Sequence, residues 1–268
     1  MARIAVNHPI HQEFLDYHGA IEAEMGEPIS ISGLTGPLRI FQRVNGHRHS
    51  IDDAMTAWYA LQKCAQPESC LDLGTGVGTV GMIVLWGLPS HTTMTCIEAQ
   101  ESSYTLLCAN IKCNHLSQRV TTIHGDLRNL DLGQKFSLVT GSPPYFPKNA
   151  GPFPKDTQKT YARFELRGHV GDYAEAARRH LHPDGLFVYC FPHQQRKRGI
   201  DLVTQAGFRI VSYRDIIPTR TSKTLFSVFA ARLQHHGHTI EDPPLIVRGD
   251  DGHYTAEMLE IQKTRGFG

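Results

Sequence analysis

From Ser69 to Leu233 short apolar strands and helical segments alternate, and few folds accept that order. Strand-like runs fall at 70–73 (CLDL), 93–98 (TMTCIE), 120–124 (VTTIH), 136–140 (FSLVT), 185–191 (GLFVYCF), 208–217 and 224–233. Helical patterns over 79–87, 100–113, about 170–181 and 194–206 separate most of them. Such alternation means crossover units and a mostly parallel sheet covered on both faces. Only TRTSK joins the last two strands, too short for a crossover, so they pair antiparallel. The expected architecture is α/β: a doubly wound, mostly parallel seven-stranded sheet with an antiparallel last strand. A chain of 268 residues suffices for one such domain plus extra elements.

The extra elements lie ahead of the sheet. Phe14, Tyr17, Ile21 and Met25 recur at helical spacing, and Gly26 ends that helix. Glycines and prolines over 26–37 suggest a boundary, giving a helical extension at 1–37 and a main domain at 38–268. Asn45-Gly46 signals a hairpin over 38–50, and Asp251-Gly252 signals a second over 244–258. Ser50 caps the helix that starts at Ile51, with Asp53 in its acidic first turn.

Two motifs carry chemistry. In LDLGTGVGTVG (71–81), Gly74, Gly76 and Gly78 lie between a buried strand and a helix, where backbone can approach a ligand and helix N–H groups stand free. Glu98 closes the next strand, placed to accept from a ribose diol. Read from Gly76, the text also fits a dinucleotide fingerprint. Asp72 argues against pyrophosphate, because a carboxylate there repels phosphate and attracts a cation. S-adenosylmethionine, with its ammonium and sulfonium, suits that charge, and Asp126 is then placed to accept from the adenine amine.

The second motif is Ser142-Pro143-Pro144-Tyr145, directly after the fourth strand. Two prolines fix the chain and remove two donors, so the Ser142 and Pro143 carbonyls are held open as acceptors. Acceptors around a planar amine localise its lone pair and stabilise the positive charge that develops on nitrogen during methylation. Tyr145 offers a face on which a base can stack.

Together these residues resemble class I S-adenosylmethionine-dependent methyltransferases that act on amines. More narrowly they resemble the small-domain type that includes bacterial tRNA adenine methyltransferases. GHRHSID (46–52) is similar to that group's segment before the sheet, with His47 and His49 in aromatic places. TYARFELRG (160–168) is similar to the segment after the proline motif, and the closing PLIV…DGHYTAEM to its last hairpin. The resemblance implies a Rossmann-like fold and S-adenosyl-L-methionine held by Asp72, Gly74, Thr75, Gly76, Gly78, Glu98 and Asp126, with Ser50 and Asp52 beside them. It implies catalysis at Ser142, Pro143, Pro144 and Tyr145 on a nucleobase amine, adenine in tRNA or another structured RNA. Phe146, Arg48, Arg163, Arg196 and Lys197 are the implied RNA contacts. Ser142 stands where the adenine enzymes carry Asn, and Ser-Pro-Pro-Tyr is similar to the motif of cytosine amine methyltransferases. A cytosine amine, a protein glutamine and a weakly catalytic module that binds cofactor or RNA therefore remain alternatives.

Charge and composition set outer limits. Net charge is only +1, so any basic face is local. Arg39, Arg43 and Arg48 crowd the first hairpin signal, and Arg196-Lys197-Arg198 opens a helix where its dipole disfavours cations, a pattern that suits phosphate. The N-terminus has no long apolar run, so neither a signal segment nor a membrane span is expected. Cys64, Cys70, Cys96, Cys108, Cys113 and Cys190 form no C-x-x-C pair and read as buried thiols of an intracellular, cytoplasmic protein. His235, His236 and His238 lie close together without an acid or cysteine at ligand spacing, so no metal site is expected.

Overall fold

The computed structural model describes residues 11–234 and 236–267. His235 of the histidine cluster and residues 1–10 lie outside the described residues, and no cluster of potential metal ligands occurs among those described. No helix is long and apolar enough to cross a membrane.

The strands β3 (Ser69–Leu73), β4 (Thr93–Glu98), β5 (Val120–His124), β6 (Phe136–Gly141), β7 (Leu181–Pro192), β8 (Arg209–Thr219), β9 (Phe226–Arg232) and β10 (Ile240–Arg248) form one sheet of eight. Its order is β10-β8-β9-β7-β6-β3-β4-β5. Strands β3 to β7 run parallel, β9 is antiparallel to both β7 and β8, and β10 is parallel to β8. The sheet thus holds one strand more than the seven expected. Pro243-Pro244 hides β10 in the sequence, since proline cannot donate to a ladder. Here the prolines fall at a register shift between Asp242 and Leu245 on an edge strand, where that donor is not needed.

Helices α2 (Ile51–Lys63), α3 (Thr79–Trp86) and α4 (Glu101–Cys113) cover one face; after the short α5 (Thr157–Arg163), α6 (Val170–His180) and α7 (Arg196–Gln205) cover the other. The core divides accordingly. Met55, Ile83, Leu85 and Leu106 pack on the first side, while Tyr173, Ala177, Val203 and Phe208 pack on the second. Tyr59 of α2 ties the edge in place: its hydroxyl lies 2.7 Å from Ser212 Oγ and 2.7 Å from Asp242 Oδ2.

Ahead of the sheet, α1 (Gln12–Met25) ends at Gly26 in the left-handed region. Next come β1 (Ile29–Thr35) and β2 (Leu38–Arg43), which pair antiparallel about Gly36-Pro37. The hairpin turn is therefore not at Asn45-Gly46, and the expected boundary at residue 37 falls within it. Gly46 lacks a side chain for another reason: a Cβ there would overlap Gln158 Oε1, which accepts the His47 N–H at 3.0 Å. On the face of α4, Asn110 and Asn114 satisfy the free edge of β2 as a strand would. Asn110 Oδ1 accepts from Phe41 N (2.6 Å), and Asn114 Oδ1 accepts from Arg39 N (3.0 Å).

The expected hairpin over 244–258 is instead strand, turn and helix. Arg248 and Tyr254 make a single bridge, after which Thr255 caps α8 (Ala256–Thr264) by accepting from Met258 N at 3.3 Å. The capping threonine and the helix formers behind it win over β pairing. α8 returns the chain to the first hairpin, where the Arg265 carbonyl accepts from Gly36 N (2.6 Å) and Thr35 Oγ1 (2.7 Å).

Candidate active site

Strand order reverses between β3 and β6, and a crevice opens beyond the carboxyl ends of parallel strands at such a point. Here it is a cleft lined by the glycine loop after β3, the ends of β4 and β5, the elbow after β6 and the segment leading to α6. Gly74, Gly76 and Gly78 all have positive φ, and α3 begins at Thr79. Gly74 is also fixed by contact, since a Cβ there would overlap the Tyr173 hydroxyl.

Asp72 is only 1% exposed, and both of its oxygens are engaged. Oδ2 accepts from Thr75 Oγ1 (2.5 Å) and Gly81 N (3.0 Å), while Oδ1 accepts from Thr140 Oγ1 (2.7 Å). The side chain lines the cleft and at the same time braces the loop around it. Burial pushes its carboxyl up to about 6. Asp53, absent from the expected site, opens on the cleft beside Ser142 and Pro144. Its carboxylate accepts from Ser50 N at 3.1 Å. Burial, followed by the charges of Asp52 and Asp72, raises its pKa well above the usual carboxylate value, and the Ser142 hydroxyl favours the charged form. Ser50 and Asp52, expected at the cofactor, do not line the cleft. Ser50 donates its hydroxyl to Asp52, and Asp52 accepts from Tyr145 Oη at 2.7 Å.

At the other end Glu98 closes β4, with Oε2 accepting from Gly76 N (2.8 Å) and Oε1 from Gln100 N (2.7 Å). Burial raises its pKa. Asp126 also lines the cleft, and Arg128 grips both of its oxygens and holds its carboxyl below the usual range. His47 and His49 face the cleft as neutral rings, because burial lowers both and brings His49 to about 4.

The elbow sits where β6 ends. The Ser142 hydroxyl lies 3.4 Å from Cys190 Sγ on β7. Tyr145 is anchored below it: its hydroxyl reaches Asp52 and, at 3.1 Å, Cys190, and its ring meets Phe191 edge-on at 6.0 Å. Ser142 and Pro144 line the cleft, whereas Pro143 and Tyr145 do not. Phe146 follows and is 41% exposed.

Most of the expected RNA-contacting cations are engaged within the protein. Arg39 is buried, with its guanidinium on the Gly36, Pro37 and Leu38 carbonyls. Arg43 pairs with Glu27 and Asp156, and Arg48 donates to Ser30 and Ser32. Arg196, Lys197 and Arg198 pair with Asp215, Asp201 and Glu165. Acids supplied by other parts of the chain neutralise the run that looked phosphate-directed. Arg163 alone of the expected contacts stays exposed without an ion pair among the described residues. The sequence reading did not assign roles to Gln158, Tyr161, Arg167 or Tyr173, all of which line the cleft. The stretch 160–168 signalled Tyr161 and Arg167, while nothing local signalled Tyr173.

The side chains suit a cationic nucleoside. Asp53, Asp72, Glu98 and Asp126 bring carboxylates to the cleft against one arginine, Arg167. That balance disfavours a pyrophosphate and offers acceptors to an ammonium, a diol and an aromatic amine.

Sheet order, with the glycine loop and the elbow at its switch point, is that of the class I methyltransferase fold. Solved structures agree on the fold. A protein described as a predicted O-methyltransferase from Agrobacterium tumefaciens superposes with TM-score 0.60 at 16% identity, covering 81% of this chain and 98% of that one. The tRNA m1G37 methyltransferase of M. jannaschii gives TM-score 0.55 at 15% identity, over 78% of this chain and 55% of that one. More particularly, the sequence is similar to curated tRNA1(Val) (adenine(37)-N6)-methyltransferases. It is 23% identical over 206 residues to that of Actinobacillus pleuropneumoniae serotype 7, covering 76% of this chain and 84% of the relative. It is 26% identical over 205 residues to that of Porphyromonas gingivalis, covering 73% and 78%. No protein-family model matches the chain.

Proposed function

We propose that the enzyme methylates the exocyclic N6 amine of an adenine in tRNA. One observation carries this reading: Ser142 and Pro144 of the elbow share a single cleft with Asp53, Glu98 and Asp126. An amine acceptor site thus lies beside a pocket built for a cationic nucleoside. The similarity to tRNA adenine methyltransferases over three quarters of the chain supports adenine and tRNA. Six free cysteines, none in a disulfide, are in keeping with a reducing compartment.

In this reading Glu98 takes the ribose hydroxyls of S-adenosylmethionine and Asp126 its adenine amine. The glycine loop lies along the nucleoside, and Asp53, reinforced by the charge of Asp72, draws in the ammonium. The donor supplies an electrophilic methyl on a sulfonium sulfur. The Ser142 hydroxyl, turned toward Asp53, keeps its lone pairs for one amine N–H, and the Pro143 carbonyl takes the other. Held this way, the amine lone pair leaves conjugation with the ring, and the carboxylates stabilise the positive charge that grows on nitrogen. The product nitrogen then sheds a proton, and its own acidity makes a strong base unnecessary. Tyr145, pinned by Asp52, fixes the angle of the elbow and presents its remaining face to the base.

Labelled methyl transfer to total RNA, DNA and protein in parallel, followed by nucleoside analysis, tests this. The expected result is label in RNA as N6-methyladenosine, lost in Glu98→Ala. Label in N4-methylcytidine or in protein would overturn it.

A further inference from the structure

Between the elbow and α6, residues 146–169 contain Lys148, Lys155, Lys159, Arg163 and Arg167 against only Asp156 and Glu165. Both acids are taken by arginines from outside the segment. Arg43 holds Asp156 at 2.7 Å, and Arg198 holds Glu165 at 2.6 Å. None of the five cations makes an ion pair among the described residues; Lys159 lies near Asp156, and Arg167 lies 3.8 Å above the Tyr161 ring. In a chain of net charge +1, this segment carries three more cations than acids, and its Gln158, Tyr161 and Arg167 line the cleft.

The same segment displays aromatic rings. Phe164 is 7% exposed and forms the base of a cluster. Phe146 packs on it with ring centroids 5.5 Å apart, and Phe153 meets it edge-on at 4.9 Å. Phe146 and Phe153 nevertheless remain 41% and 50% exposed, so each keeps an open surface. The backbone locks the cluster to the elbow: the Arg163 carbonyl accepts from Tyr145 N (3.1 Å) and Phe146 N (2.9 Å), and Glu165 N donates to the Phe146 carbonyl (2.9 Å). Exposed rings interleaved with free cations are the two parts of a single-strand binding surface, one for base faces and one for backbone.

We infer that residues 146–169 form a single-stranded RNA subsite in which Phe146 and Phe153 stack the nucleotides flanking the target base, while Lys148, Lys155 and Arg163 track their phosphates. This rests on the tRNA reading and names where the strand lies. It also accounts for a loop RNA rather than a duplex, because only unstacked neighbours can reach two separate rings.

The test is direct binding of an unmodified valine tRNA transcript, in parallel with methyl transfer and adenosylhomocysteine calorimetry. Phe146→Ala and Phe153→Ala should each weaken RNA binding at least about fivefold. Phe153→Leu, which keeps the apolar packing on Phe164 but has no π-face, should weaken it similarly. Adenosylhomocysteine affinity should stay unchanged in all three, which confirms an intact cleft. Lys148→Gln with Lys155→Gln should flatten the slope of log affinity against log salt by about 0.7 per cation. Wild-type RNA binding and salt slope in these variants would overturn the subsite while leaving the tRNA reading standing. A wild-type protein that neither binds nor methylates the transcript would remove the tRNA reading first, and the subsite with it.

Discussion

The Tyr145 hydroxyl donates to Asp52 Oδ2 at 2.7 Å, joining the elbow after β6 to the first turn of α2 across 93 residues of chain. Asp52 does not line the cleft, yet it fixes the elbow whose Ser142 and Pro144 do. Tyr145→Phe deletes the bond and leaves a partly buried carboxylate short of one donor. Turnover should fall about 10- to 100-fold through loss of alignment, with cofactor affinity nearly unchanged. Single-turnover kinetics beside calorimetry separate the two effects.

In the proposed reaction the Ser142 hydroxyl, which lines the cleft, accepts from the amine. Ser142→Ala should cost about 100- to 1,000-fold in kcat, the scale of losing one preorganised hydrogen-bonding partner of the transition state. Adenosylhomocysteine and RNA should both bind Ser142→Ala as they bind the wild type.

Asp72 gives a dependence on pH with opposite signs for the free and the loaded enzyme. Its folded pKa of about 6 lies above the ordinary aspartate value of 3.8, so between those pH values the folded state binds more protons than the unfolded. Stability of the free enzyme therefore falls as pH rises through that window, by about 3 kcal/mol from this one group. A cationic ligand favours the charged carboxylates, so its affinity should rise over the same window. Denaturant midpoints at pH 5 and pH 7, with and without S-adenosylmethionine, read both slopes. Asp72→Asn should flatten the slope of the free enzyme, leaving the part that Asp53 and Glu98, also raised by burial, contribute.

Arg43 fastens the segment after the elbow to the first hairpin through Glu27, Asp156 and Gln158. Arg43→Met should destabilise the fold by about 1–3 kcal/mol, as expected for a partly buried pair. Hydrogen exchange should quicken over 156–164 and stay slow in β3, because the anchor is local to that segment.

The sheet and its glycine loop were legible because their signals are periodic and local: buried strands, glycines between strand and helix, prolines at a strand end. What escaped the sequence was orientation. Asp52 and Asp53 are neighbours in text, but a helix turns about 100° per residue, so one reaches Tyr145 and the other the cleft. Asp72 stands where expected, but its hold on Thr75, Thr140 and Gly81 could not be read, because these come from three separate elements that no short motif joins. The arginine run at 196–198 looked like a phosphate site until acids at 165, 201 and 215 folded onto it. Pro243-Pro244 masked an edge strand, and Gly36-Pro37 made the turn that Asn45-Gly46 advertised.

The bond from Gly36 N to the Arg265 carbonyl spans almost the whole chain, and Arg265 also donates to the Leu34 carbonyl at 2.9 Å. On the ribosome, the hairpin made among the earliest residues cannot finish its hydrogen bonding until the final helix has left the exit tunnel. All eight strands of the sheet lie in between, so a nascent chain has the parts of its cleft before its outer brace can shut.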